Sequence, residues 1–183
     1  MLTRFAIEVT TITSRGEDSF ADTEYVVEYN EVNDRLRTDS IPRITWASEQ
    51  DAINYIEGLP VARVGKFTKS HTYEVEAIDY THANHHGYSD SNPFEIVRVV
   101  SDKTIELRSM SAERASDWKP EIVAGGFFGH CTNNGNQSKA WVIKSDPEGY
   151  TVRARLQKNG SWKSSHGRHS LHTKAIKHYD YNF

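Results

Sequence analysis

Short segments in which apolar and polar residues alternate with a period of two recur along this chain, separated by turn chemistry every 8–12 residues or so. Successive strand side chains point to opposite faces, so this alternation builds sheets with one buried face and does not fit a helix. In residues 4–12, Phe5, Ile7 and Val9 alternate with Ala6, Glu8 and Thr10. Residues 23–29 and 35–46 read as further strands, the latter interrupted at Pro42, which has no N–H to give a ladder. Tyr73, Val75 and Ala77 are in register within residues 71–79. A hairpin is expected from Phe94–Val100 through Ser101-Asp102-Lys103 into Thr104–Arg108. The last forty or so residues predict a β-meander: Ala140–Ile143, a turn at Asp146-Pro147-Glu148-Gly149, and Tyr150–Leu156. Asn159-Gly160 then predicts a type I′ hairpin that returns the chain through Trp162.

One helix breaks the strand pattern. Ser48 is placed to cap the first free amides, Glu49 and Asp51 oppose the helix dipole, and Ala52, Ile53, Ile56 and Leu59 share a face. Gly58 and Pro60 end it. Residues 80–93 and 109–138 are rich in His, Asn, Ser, Gly and Pro and read as loops. The expected fold class is α+β and mostly β: an antiparallel, barrel-like or rolled sheet with one short N-terminal amphipathic helix. An acidic α+β unit over residues 1–65 and a meander or barrel-like domain over 66–183 are expected, free to pack as one domain.

No apolar run approaches the roughly 20 residues that span a bilayer, and the N-terminus has no signal-peptide core, so no membrane partner is expected. A single cysteine, Cys131, excludes an internal disulfide and fits a reducing compartment, with cytoplasm as the default. The formal charge of −3 hides a division along the chain. Residues 1–60 carry five arginines against twelve carboxylates, whereas residues 139–183 carry nine cations against three carboxylates. Such asymmetry points to a polyanion-binding face, or to complementary faces that meet in a homodimer.

From about Tyr88 to its end the chain resembles a group of small uncharacterised β-rich proteins of phages and bacterial mobile elements. The resemblance rests on the hairpin from Asn92-Pro93-Phe94 to Thr104–Leu107, on Asp146-Pro147-Glu148-Gly149, on Arg155-Leu156 with Lys158–Trp162, and on the closing Tyr179-Asp180-Tyr181-Asn182-Phe183. It covers about half the chain and implies a habitat, the bacterial host cytoplasm, without implying a mechanism.

Candidate chemistry is sparse. His82, His85 and His86 lie close together, and His130-Cys131 would add zinc-type donors, but no Cys-x-x-Cys or His-Glu-x-x-His spacing supports them. Cys131 beside His130 has the residue types of a nucleophile and base, yet these groups must face each other across a site rather than adjoin in sequence. Gly125-Gly126-Phe127-Phe128-Gly129 lacks the Lys-Ser/Thr of a phosphate loop and reads as a turn carrying two aromatics into the core. No cofactor and no catalytic residue is expected.

The basic C-terminal segment carries the strongest signal. Alternation puts Arg153 and Arg155 outward with Thr151, and Val152, Ala154 and Leu156 inward. Lys158, Lys163, Arg168, Lys174 and Lys177 add charge, and Trp162, Tyr179 and Tyr181 are available to stack. Cations interleaved with aromatics suit nucleic acid, where charge neutralises phosphate and rings stack on bases. The terminal aromatics are expected chiefly to pack, as a final strand. The expected function is therefore non-enzymatic binding, with nucleic acid as first partner. The alternative is an anti-defence inhibitor that blocks a host protein with the acidic unit or the long loops, and a third reading is a metal-dependent enzyme at the His-rich loop.

Overall fold

The computed structural model describes residues 1–15, 18–30, 35–40, 42, 44–64, 68–125 and 129–182. Gly126-Phe127-Phe128, expected to turn two aromatics inward, and the terminal Phe183 lie outside them. The fold is α+β and mostly β, with one short helix and a closed antiparallel barrel. Two compact units divide the chain: Thr3–Ile78, and Asp79–Phe183 with Met1–Leu2.

The first is an open five-stranded sheet. Its strands are β1 (Leu2–Arg15), β2 (Asp18–Asn30), β3 (Arg35–Asp39), β4 (Ala62–Val64) and β5 (Thr68–Tyr80), in the order β3-β2-β1-β5-β4. Helix α1 (Glu49–Ile56) starts where Ser48 predicts, the Ser48 hydroxyl oxygen accepting the Asp51 N–H at 3.2 Å. Ile7, Val9 and Val26 pack with Ala52 and Leu59 into one core, flanked by Phe5, Trp46, Tyr55, Ile56 and Tyr73. Ile53, expected on the buried face, is 39% exposed, because an eight-residue helix turns only a narrow stripe inward. Arg4 is buried on β1, donating to the Thr45 carbonyl at 2.7 Å and to Thr45 Oγ1 at 3.1 Å.

The second unit holds the barrel. Six strands, β6 (His82–His86), β7 (Ser91–Ser101), β8 (Thr104–Ser109), β13 (Thr151–Leu156), β14 (Trp162–Ser164) and β15 (Gly167–His172), close in the order β13-β14-β15-β6-β7-β8, every pair antiparallel. The interior is filled by Ala83, Phe94, Ile96, Ile105, Leu107, Val152, Ala154 and Trp162. Their registers, Ala83 opposite Phe94 and Ile105 opposite Ala154, set small side chains against large ones, as a narrow interior requires. Between β8 and β13 lie β9 (Ser111–Arg114), β10 (Ile122–Val123), β11 (His130–Cys131) and β12 (Trp141–Lys144), which form two separate two-stranded pairs, β9 with β12 and β10 with β11.

Several expectations change here. Residues 82–86 and 91–93, read as loop, are strand, because residues 82–86 pair with both β15 and β7, and residues 91–93 with β6, a pairing that local propensity cannot register. The Trp141 strand pairs with β9 and stands outside the barrel. The turn at Asn159-Gly160 is longer than a two-residue type I′ loop: Gly160 N–H donates to the Gln157 carbonyl at 3.0 Å and Gln157 N–H to the Ser161 carbonyl at 2.8 Å, with Gly160 at φ 79°. Gly149 is required, since a Cβ there would run into the Ser109 carbonyl oxygen. Residues 179–182 form no strand; only His178 bridges to Ser91.

Candidate nucleic-acid interface

Because cross-strand partners share a face, the barrel register decides which cations stand together. Arg155 on β13 lies opposite Lys163 on β14, and Lys163 lies opposite Arg168 on β15. All three are exposed, and among the described residues none makes an ion pair. Like charges directly opposite one another destabilise a sheet, so this row is a local cost that the fold retains. At its open end, Lys158, Lys163 and Arg168 line a depression of about 640 Å³ with Gln157, Asn159 and Ser161. Amide and hydroxyl groups there add hydrogen-bonding capacity to the positive field.

Other expected members are placed elsewhere or already engaged. Arg153 points outward as the alternation predicts, but it donates to Glu106 through Nη2 at 2.7 Å and Nε at 3.2 Å, while Arg98 approaches the other Glu106 oxygen at 3.9 Å. The hydrogen bond from Arg153 is the main cause holding the Glu106 carboxyl below its ordinary range. Arg153 is thus neutralised by the chain's own carboxylate and leaves the site. Trp162 is 4% exposed and fills the barrel, since outward Lys163 forces its neighbour inward; it cannot stack on a base. Lys177 is half-buried, donates to Asn92 Oδ1 at 2.5 Å and sits 5.4 Å from the centre of the Trp141 ring, and burial pulls its pKa down. It is a packing residue. Lys174 is exposed beyond the end of β15, outside the row. Tyr181 packs against Trp118 and Tyr179, with Arg114 over its ring at 5.3 Å.

One more exposed aromatic, not singled out in the sequence, packs edge-on to Phe94 at 5.6 Å. Tyr150, just before β13, is 53% exposed, and its ring lies 5.2 Å from that of His166 in the β14–β15 turn, two residues from Arg168. The antiparallel run of β13, β14 and β15 brings Tyr150 to that turn.

Among the described residues, no three His, Cys, Asp or Glu side chains are arranged to hold a metal ion. His130 is exposed on β11, whereas Cys131 is buried with its thiol donating to Asn133 Oδ1 at 3.2 Å. His82 bonds through Nδ1 to the Thr81 hydroxyl at 2.8 Å, and His85 donates from Nε2 to the His166 carbonyl at 2.7 Å. His86 and His172 instead share Ser170: each Nε2 lies within hydrogen-bond reach of its hydroxyl, at 2.7 and 2.8 Å. Burial lowers the pKa of both, with Arg168 pressing on His86 and His86 on His172. His169 is 2% exposed inside the barrel, bonded through Nε2 to Ser164 while its buried Nδ1 has no partner, and burial followed by the neighbouring His85 lowers its pKa to about 4.

The comparisons with known proteins add nothing to this geometry: no protein-family model, curated protein or solved structure matches the chain. No helix among the described residues is long and apolar enough to cross a membrane.

Proposed function

We propose that this protein binds single-stranded nucleic acid on the outer surface of its barrel, with Arg155, Lys163 and Arg168 meeting phosphates and Tyr150 offering a ring to a base. The observation that carries the reading is the three-strand cationic row, kept free of carboxylates although neighbouring Arg153 and Arg108 are paired with Glu106 and Glu95. Adjacent strands lie about 4.8 Å apart, so the row spans roughly 10 Å, enough for a short stretch of backbone. The depression beside it is shallow, and the barrel presents there no helix to enter a duplex groove, whereas an exposed tyrosine suits the unstacked bases of a single strand. Taken with the resemblance of residues 88–183, the protein is an accessory binding protein of a phage or mobile element, acting in the bacterial host cytoplasm.

The inhibitor reading has less support: in the acidic unit Glu28 is engaged by Arg37 and Glu24 by Thr38.

Fluorescence anisotropy with a labelled single-stranded oligonucleotide tests the proposal. Three phosphate contacts predict a slope of log affinity on log salt near −2, so affinity should fall roughly twentyfold between about 50 and 200 mM salt. Replacing Arg155, Lys163 and Arg168 together with alanine should flatten that slope, while Arg153→Ala should leave it nearly intact. Binding indifferent to salt, or unchanged in the triple variant, would refute the reading.

A further inference from the structure

The outer face of the barrel does not end at Arg168. On β15 the next outward side chains are Ser170 and His172, and β6 supplies His86 beside them. A serine hydroxyl has one proton and can donate to only one ring, so at least one of His86 and His172 must present an Nε2–H donor toward Ser170. The cluster thus brings together an imidazole N–H and a hydroxyl that are bonded to one another, a second imidazole and, next to them, a guanidinium. These are the groups that recognise a phosphate oxygen. Ser170, His86 and His172 are half-buried, and Asn84, opposite Ser170, is buried.

We propose that Arg168, His86, Ser170 and His172 form a phosphate subsite that takes up a proton on one of its two histidines as it fills. This rests on, and deepens, the nucleic-acid reading: the row supplies fixed charge, and the histidine pair supplies charge that appears when an anion arrives. The cationic and imidazole groups beside the pair oppose its protonation. Arg168 and His85 lie beside His86, and His82 lies beside His172, all on β15 and β6. Glu95 on β7 stands opposite His82 but is held by Arg108 at 2.8 Å, and His178 pairs through its backbone with Ser91, which stands opposite His86. A bound phosphate brings the missing negative charge next to both rings, and the favoured charged form follows.

By linkage, an anion that raises a histidine pKa must bind more tightly as pH falls through that pKa. The test is a histidine titration followed by NMR, on the intact protein in chelator-treated buffer, with and without inorganic phosphate. One ring of the pair should titrate about one pH unit higher with phosphate present, and oligonucleotide affinity should rise by up to about tenfold between about pH 8 and pH 5.5. His86→Gln and His172→Gln should each abolish that rise, while Arg153→Ala, outside the subsite, should leave the rise in place. Titration midpoints that phosphate does not move would overturn the subsite. If oligonucleotide binding is then salt-dependent but flat with pH, the cationic row stands alone. If phosphate moves the histidines but no oligonucleotide binds, the subsite survives and nucleic acid is the wrong partner.

Discussion

The five-stranded sheet is open at both edges and the barrel is closed, and the two treat charge differently. In the sheet, acidic side chains meet donors on other strands: Glu28 takes Arg37 at 3.1 Å, Glu76 on β5 accepts from Tyr25 on β2, across β1, at 2.6 Å, and Glu24 accepts from Thr38. Its outermost strands are short, and β3 carries Arg35 and Arg37, features that discourage pairing with another chain. The barrel has no edge to guard. Its outer face pairs Arg153 and Arg108 with carboxylates, yet leaves Arg155, Lys163 and Arg168 facing one another. Charge that is compensated serves the fold; charge left uncompensated on a rigid closed surface is available to a partner.

The largest effect should come from the barrel interior. Phe94→Ala removes a fully buried ring that meets Tyr150 and His169 edge-on, and should cost about 3–5 kcal/mol, whereas Phe20→Ala on the sheet, at a position 69% exposed, should change stability by less than about 0.5 kcal/mol. Urea unfolding of both variants measures the contrast, and similar losses would break it.

Acid should act next, and on the barrel. With its folded pKa near 4 and an ordinary value of 6.5, His169 contributes stability that is present above about pH 6.5 and lost as pH falls toward 4, when the unfolded chain binds a proton the barrel refuses. The loss should be on the order of 2–3 kcal/mol by pH 4. Denaturation curves across that range should weaken in the wild type and be flatter in His169→Gln.

A smaller effect belongs to the sheet unit. Ser48→Ala removes the acceptor for the Asp51 N–H and should cost about 1 kcal/mol, read from the same unfolding curves, with oligonucleotide binding unaffected. The smallest change has the opposite sign. Lys163→Gln relieves repulsion with both Arg155 and Arg168 and should stabilise the barrel by about 0.2–1 kcal/mol while weakening oligonucleotide binding. A variant that binds less and is also less stable would count against the idea that the row is kept for a partner.

Much of the strand pattern was legible because half-buried strands write their period into sequence: Val152, Ala154, Arg153 and Arg155 face the ways their alternation requires. Ser48 likewise marked its helix start, as capping is a local interaction. The site was less legible. Arg153 and Arg155 look alike in sequence, and only β8, by placing Glu106 opposite one and Thr104 opposite the other, separates them. Residues 82–86 looked like loop because histidine and asparagine carry little strand preference of their own, and their pairing with β15 spans more than eighty positions.

From its residues alone the chain determined a mostly β fold, a single capped helix and a basic carboxyl-terminal region, since alternation, capping and composition act between near neighbours. Tertiary structure alone decided that β15 pairs with β6 and β13 with β8 to close the ring, and so which cations meet a carboxylate and that Ser170 falls between His86 and His172. The physical reason is that register fixes distances of a few ångströms between distant positions, and electrostatics and hydrogen bonding depend on those distances.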